Sequence, residues 1–117
     1  MQSKNFDLDV ERAINKIVQP PLLVAVTSKK SHDDKFREKE DYAASVCALH
    51  NMVLSLWENG VGAQWSTGSI TRDLQTYSTL SIDYESEEII GFVKAGYPVK
   101  VREVKKKALS EIVTYLD

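Results

Sequence analysis

The stretch from about Glu40 to Asn59 constrains the fold more than any other part of this sequence. It reads as a helix about 30 Å long at 1.5 Å per residue, and Gly60 directly after it is placed to close it as a C-cap. Residues set at 100° intervals put Tyr42, Val46, Leu49, Val53, Leu56 and Trp57 on one wide apolar face. Asp41, Ser45, Ser55 and Asn59 share the opposite side, yet Ala44, Ala48 and Met52 interrupt its polarity. Such a helix is expected to be mostly buried, with small residues that let another helix come close. A chain of 117 residues has little with which to cover it on all sides, so the pattern points to a second copy as its partner.

Length implies a single domain over residues 1–117. A compact chain of this mass has a surface of about 6,400 Å². Apolar content of 43% with 27% charge is ordinary for a globular chain. A net charge of −2 gives no electrostatic reason to expect a nucleic-acid partner. No apolar run approaches the ~18 residues of a membrane span. The opening Met1–Asp7 has no apolar signal core, which makes a cytoplasmic location the expectation. The single cysteine, Cys47, rules out an internal disulfide. With only His32 and His50 beside it, no metal site of familiar ligand spacing can be assembled. Cys47 and His50 are three apart on the helix and are read as packing residues, a small core thiol and a hydrogen-bonded buried histidine. Redox chemistry in such a chain has to come from a borrowed organic cofactor.

Ahead of the long helix, Asp7 to Val18 reads as a modest helix with Asp9 as its cap. Pro20-Pro21 stops it, because proline supplies no amide donor and restricts the residue before it. Leu22 to Thr27 is short, continuous and β-branched, the pattern of a strand buried on both faces. Ser28 to Lys39 reads as a loop or helix approach of mixed charge, solvated. After Gly60, Val61 to Trp65 is a short strand and Ser66-Thr67-Gly68 a turn. Ser69 or Thr71 then caps a helix running to about Leu80. Ile89 to Pro98 is a further strand whose glycines permit close approach. Lys100 to Lys107 is basic and extended, and Ala108 to Leu116 is a short helix or a final strand.

Four segments carry a resemblance through their order and spacing. They are Pro21 to Val26, Asp41 to Leu54, Glu58 to Gly68 (ENGVGAQWSTG), and Glu88 to Pro98 (EIIGFVKAGYP). Together they resemble the second half of the FMN-dependent nitroreductase family, particularly its small single-domain branch, over about Val10 to Pro98. The resemblance implies an α+β fold, a three-layer α/β/α arrangement with a mostly antiparallel sheet and a long central helix. It implies a homodimer with FMN at the subunit interface, reduced by NAD(P)H and passing electrons to a small organic acceptor. In that branch the residues matching Trp65, Ser66 and Thr67 contact FMN. Gly68 beside them is placed to adopt a positive φ where the chain passes the ligand. The segment matching Ser55, Leu56, Trp57, Glu58, Asn59 and Gly60 lies at a nicotinamide contact.

Family members begin with an Arg-Arg-Ser-like segment that binds the FMN phosphate, and nothing before Val10 resembles it. The N-terminal part of the family fold is therefore expected to be missing, and Lys105, Lys106 and Lys107 stand as candidates for part of the phosphate clamp. Hydride transfer itself needs no acid–base residue from the protein, so no catalytic cluster is expected. The alternative is a nitroreductase scaffold without cofactor, or a dimer binding another small ligand.

Overall fold

The computed structural model describes residues 4–117. Three strands form one sheet in the order β1-β3-β2, with β1 at Leu22–Lys29, β2 at Gly62–Ser66 and β3 at Glu87–Gly96. Both pairings are antiparallel, so β1 and β2 run the same way on either side of β3. The long helix α2, Lys35–Glu58, connects those two outer strands. A preceding helix α1 covers Lys4–Val18 and a short helix α3 covers Leu74–Thr79.

Helix α2 begins five residues before the expected start. Asp34 accepts the amide of Arg37 at 2.9 Å as an N-cap, and the pairs Lys35–Glu38 and Arg37–Asp41 sit at helical spacing on the first turns. Of the two readings of that charged stretch, the helix approach holds from Lys35 onward, and its charges form the solvated face. Its far end is as expected. Gly60 takes φ +78°, Val61 N–H donates to Leu56 O and Gly60 N–H to Trp57 O, both at 2.9 Å. That is the paired closure of a Schellman motif.

The core lies on both sides of the sheet. Leu49 of α2 meets Ile90 and Val93 on one face, with Val46, Met52, Val53 and Leu56 packed around them. Tyr77 of α3 meets Ile89 and Phe92 on the other. Helices on both faces agree with the expected layering. Along β3 the two faces do not simply alternate, because Val26 pairs with Gly91 but Thr27 with Ile89. Ile90 is the extra residue of a β-bulge. It carries Ile90 and Val93 toward α2, and leaves Ile89 and Phe92 facing α3.

Other expectations need correction. β1 is an edge strand, mostly half-buried rather than enclosed on both faces. Asp9 lies inside α1, paired with Arg12 at 3.5 Å, and caps nothing. The helix expected after Gly68 is divided into a 3-10 turn at Ser69–Thr71 and α3, whose cap is Asp73. Residues 108–116 hold only the 3-10 turn Leu109–Glu111. Within one chain α2 is covered on one side, and Leu49 is its only buried residue. Cys47 and His50 are exposed. Tyr42 and Trp57, assigned to the packing face, are 38% and 51% exposed.

The single chain is correspondingly open. Its surface is 9889 Å², about half as much again as the roughly 6,400 Å² of a compact chain. Its radius of gyration is 18.1 Å against about 13 Å for a compact domain of this length. Residues 97–117 are exposed throughout, with Tyr97, Val99, Val101, Val104, Leu109 and Leu116 among them. Leu8, Val10, Ile14 and Val18 of α1 are exposed as well. Leu49→Ala removes the side chain that joins α2 to the sheet, and is expected to cost roughly 2–5 kcal/mol of stability. Urea denaturation followed by circular dichroism measures it.

Candidate functional site

β1 and β2 both end at the edge of the sheet where β3 begins, and a cleft of about 430 Å³ opens there. The chain ends of parallel strands joined by a helix are a common seat for ligands, because loops rather than paired backbone line the space. Lys30 follows β1 into the cleft, Thr67 follows β2, and Tyr42 enters from α2. Thr71, Arg72, Tyr77, Tyr84 and the first residues of β3 complete the lining.

Several contacts hold the walls. Tyr77 is 3% exposed, and its hydroxyl accepts the amide of Ile89 at 2.8 Å. Its ring meets Tyr84 edge-on with centroids 5.0 Å apart. Lys30 places its ammonium 3.7 Å from the centroid of the Tyr84 ring and donates to the Tyr84 carbonyl. The imidazole Nε2 of His32 lies 2.7 Å from Glu85 O, so the loop after β1 is tied to the turn before β3. At the foot of that loop Glu38 accepts the Ser31 amide and pairs with Lys35, which holds its carboxyl below the usual glutamate range. Asp83 is held low by the Ser86 hydroxyl and then by the Glu85 amide. Among the described residues, Ser28 Oγ is the one buried side-chain polar atom without a partner.

Trp65 occupies a position that its neighbours define closely. Its indole N–H donates to Ile90 O at 3.2 Å. The ring lies over Gly91, where an added Cβ would fall 2.1 Å from Nε1. Gly91 takes φ +158°, and it is glycine because the indole fills the space of a side chain. Bulge and indole therefore fit together, and they fix the end of β2 from which Ser66 and Thr67 continue. Ser66 is the last residue of β2 paired with β3, and Thr67 stands beyond that pairing, exposed at the cleft.

Gly68 corrects the sequence-based expectation. Its φ is 169°, extended backbone, and a Cβ there would meet nothing within 4 Å. Its carbonyl accepts the Thr71 hydroxyl at 2.7 Å, so its role is to accept the turn rather than to take a left-handed conformation.

The designated residues do not converge on one place. Ser55, Leu56, Trp57, Glu58, Asn59 and Gly60 surround the C-terminus of α2, where Asn59 Nδ2 donates to Ser55 O at 2.8 Å. They lie at the opposite end of β2 from Thr67, a separation of about 17 Å for a strand of this length. Lys105, Lys106 and Lys107 lie on the exposed C-terminal stretch and line no cavity described for the chain. A larger hollow of about 500 Å³ lies at that far end, between the end of α1 and Gly62, Gln64, Lys94 and Pro98, and includes none of the designated residues. The cleft residues Lys30, Arg72 and Tyr84 were not singled out by sequence, since isolated charges and tyrosines in turns carry no spacing signal. Among the described residues there is no cluster of metal-ligating side chains, and no helix is long and apolar enough to cross a membrane.

The nitroreductase family profile matches residues 12–97, well over half of the sequence. The chain belongs to the nitroreductase family. Among particular relatives it is 27% identical over 93 residues to YfhC of Bacillus subtilis (strain 168), a provisionally assigned NAD(P)H nitroreductase, covering 80% of this chain and 47% of that protein. YdjA of Escherichia coli (strain K12), with the same provisional assignment, is 25% identical over 92 residues, covering 79% of this chain and 50% of that protein. The chain thus spans about half the length of these relatives. A nitroreductase-like family protein from Bacillus cereus superposes with a TM-score of 0.79 at 20% identity, over 97% of this chain and 61% of that one. That likeness establishes the α+β fold.

Gly91→Ala should expel the indole. In a Trp57→Phe background, Trp65 emission should shift to the red and become more accessible to iodide quenching, with a loss of thermal stability. An unchanged spectrum would mean that Trp65 is not held over β3.

Proposed function

We propose that this chain is the flavin-handling part of an FMN-dependent, NAD(P)H-oxidising enzyme of nitroreductase type that reduces a small organic acceptor. The observation that carries the reading is the placement of Thr67. In a member of this family, the residue matching a flavin contact leaves the strand pairing and lines the strand-end cleft. When bound, FMN supplies the transfer of an electron pair from the nicotinamide to the acceptor. The chain's own residues bind and orient it. Backbone and hydroxyl groups of Ser66 and Thr67 suit the carbonyl and ring-nitrogen edge of an isoalloxazine. Trp65 serves by holding the end of β2, since its indole N–H is already engaged with Ile90.

The fit to the phosphate is less complete within one chain. A dianion needs several converging cationic donors, and Lys105, Lys106 and Lys107 lie on an exposed stretch and do not line the cleft. Dimerisation offers a way to bring them to a flavin. The surface of 9889 Å² exceeds the compact expectation by about 3,500 Å², enough for the large apolar interface of an obligate dimer. The outer side of α2 and the apolar residues of 97–117 provide that surface. We therefore infer a homodimer in which the basic stretch of one copy reaches the flavin of the other. A nicotinamide contact at Ser55–Gly60 belongs to the same proposal, and the local geometry there is also accounted for by helix closure.

Titration of the purified chain with FMN should give saturable binding, with flavin absorbance retained through gel filtration. Protein that stays colourless and does not bind FMN would leave a scaffold without cofactor. Thr67→Val should weaken FMN by about 1 kcal/mol, roughly five-fold in Kd. Light scattering should return twice the 13.2 kDa of one chain, and a monomer at micromolar concentration would remove the shared-site proposal.

A further inference from the structure

We propose that the hollow at the far end of the sheet binds an organic phosphate monoester, a sugar phosphate, with Lys94 and Lys16 receiving its charge. It is separate from the strand-end cleft and does not rest on the flavin reading, because it opens at the start of β2, about 17 Å along the strand from Thr67. Lys94 stands in the middle strand of the sheet, half-buried, between Leu23 of β1 and Gln64 of β2. Cross-strand partners share a face, and Leu23 packs against the Tyr77–Phe92 cluster, so all three side chains point away from α2. Charged groups drawn out of water are normally paired. Here the neighbours are a leucine and an amide, and neither Lys94 nor Lys16 forms an ion pair among the described residues. Among those residues no acid lines the hollow, in a chain whose net charge is −2.

Two glycines make the space. Gly62 and Gly96 pair side by side at the end of the sheet, so neither strand puts a side chain there. The last turns of α1, with Asn15, Lys16 and Gln19, line the other side. Lys16 also faces the C-terminal carbonyls of α1, worth about half a unit of negative charge, which leaves the hollow with about one and a half positive charges. A phosphate monoester carries about −1.5 to −2 near neutral pH. Lysines act as point charges, suited to a tetrahedral group met from different sides. A planar carboxylate favours the arginine fork, and no arginine lines this hollow. Asn15, Gln19 and Gln64 each offer donors and an acceptor, as sugar hydroxyls require. A volume of about 500 Å³ has room for a pentose or hexose phosphate.

The test is calorimetric titration of the full chain with ribose 5-phosphate, ribose and inorganic phosphate. Ribose 5-phosphate should bind saturably, and each of the other two at least about ten-fold more weakly. Lys94→Gln should remove most of that binding. Lys39→Gln, at an exposed lysine of α2 that lines no cavity described for the chain, should leave it unchanged. Because Lys94 lies in the central strand, a second variant alters the same charge from the sheet edge. Gln64→Glu places a carboxylate directly opposite Lys94, and should abolish binding while holding or raising the melting temperature. Binding no tighter than that of inorganic phosphate, binding that survives Gln64→Glu, or an equal loss in Lys39→Gln would overturn the proposal. So would displacement of ribose 5-phosphate by FMN, which would assign the hollow to the flavin's own phosphate. A chain that binds ribose 5-phosphate but not FMN loses the flavin reading and keeps this one.

Discussion

One extra residue in β3 determines how this chain is put together. Strand side chains alternate strictly, so an uninterrupted β3 would place Ile90 and Val93 on opposite faces. The bulge at Ile90 and Gly91 resets the alternation, and both halves of the strand then supply each core. Its cost is local loss of regular pairing. Two side chains from different elements bond to backbone groups there, Tyr77 to Ile89 N–H and Trp65 to Ile90 O. Either bond alone would secure one face. Together they tie α3 and the end of β2 to the centre of the sheet.

The cleft follows from that arrangement. Because Tyr77 is drawn to Ile89 and Trp65 to Ile90, the turns that follow β2 and precede β3 are fixed at the same end of the sheet. Lys30 and His32 then fasten the loop after β1 to the 84–85 turn. A site built this way takes its rigidity from the sheet and its chemistry from loops, the usual division of labour in ligand-binding folds.

Local chemistry made some features legible in sequence and left others hidden. Gly60 was readable because a glycine after a long helical pattern has one common use, and the Schellman closure depends on few residues. The start of the same helix was not, because Lys35 to Lys39 is as consistent with a solvated loop as with a solvated helical turn. Glycines of β3 were expected to admit a close neighbour. That the neighbour of Gly91 is an indole from another strand depends on pairing register and bulge together. Gly68 illustrates the reverse, a glycine in a suggestive turn that adopts extended backbone. Thr67 was singled out through the family resemblance, whereas the residues that share its cavity, Lys30 and Arg72, come from distant turns and meet it only in three dimensions.

The central place of β3 has a consequence for biosynthesis. β1 and β2 flank it but do not pair with each other, and β3 is made after both. A nascent chain that has not yet extended past Glu87 possesses two strands and no ladder between them. The long helix can form as it emerges, but its apolar face then has no sheet against which to settle. Assembly of this core is therefore delayed until β3 itself has left the ribosome. During that interval the edges of β1 and β2 are open to pairing with other chains.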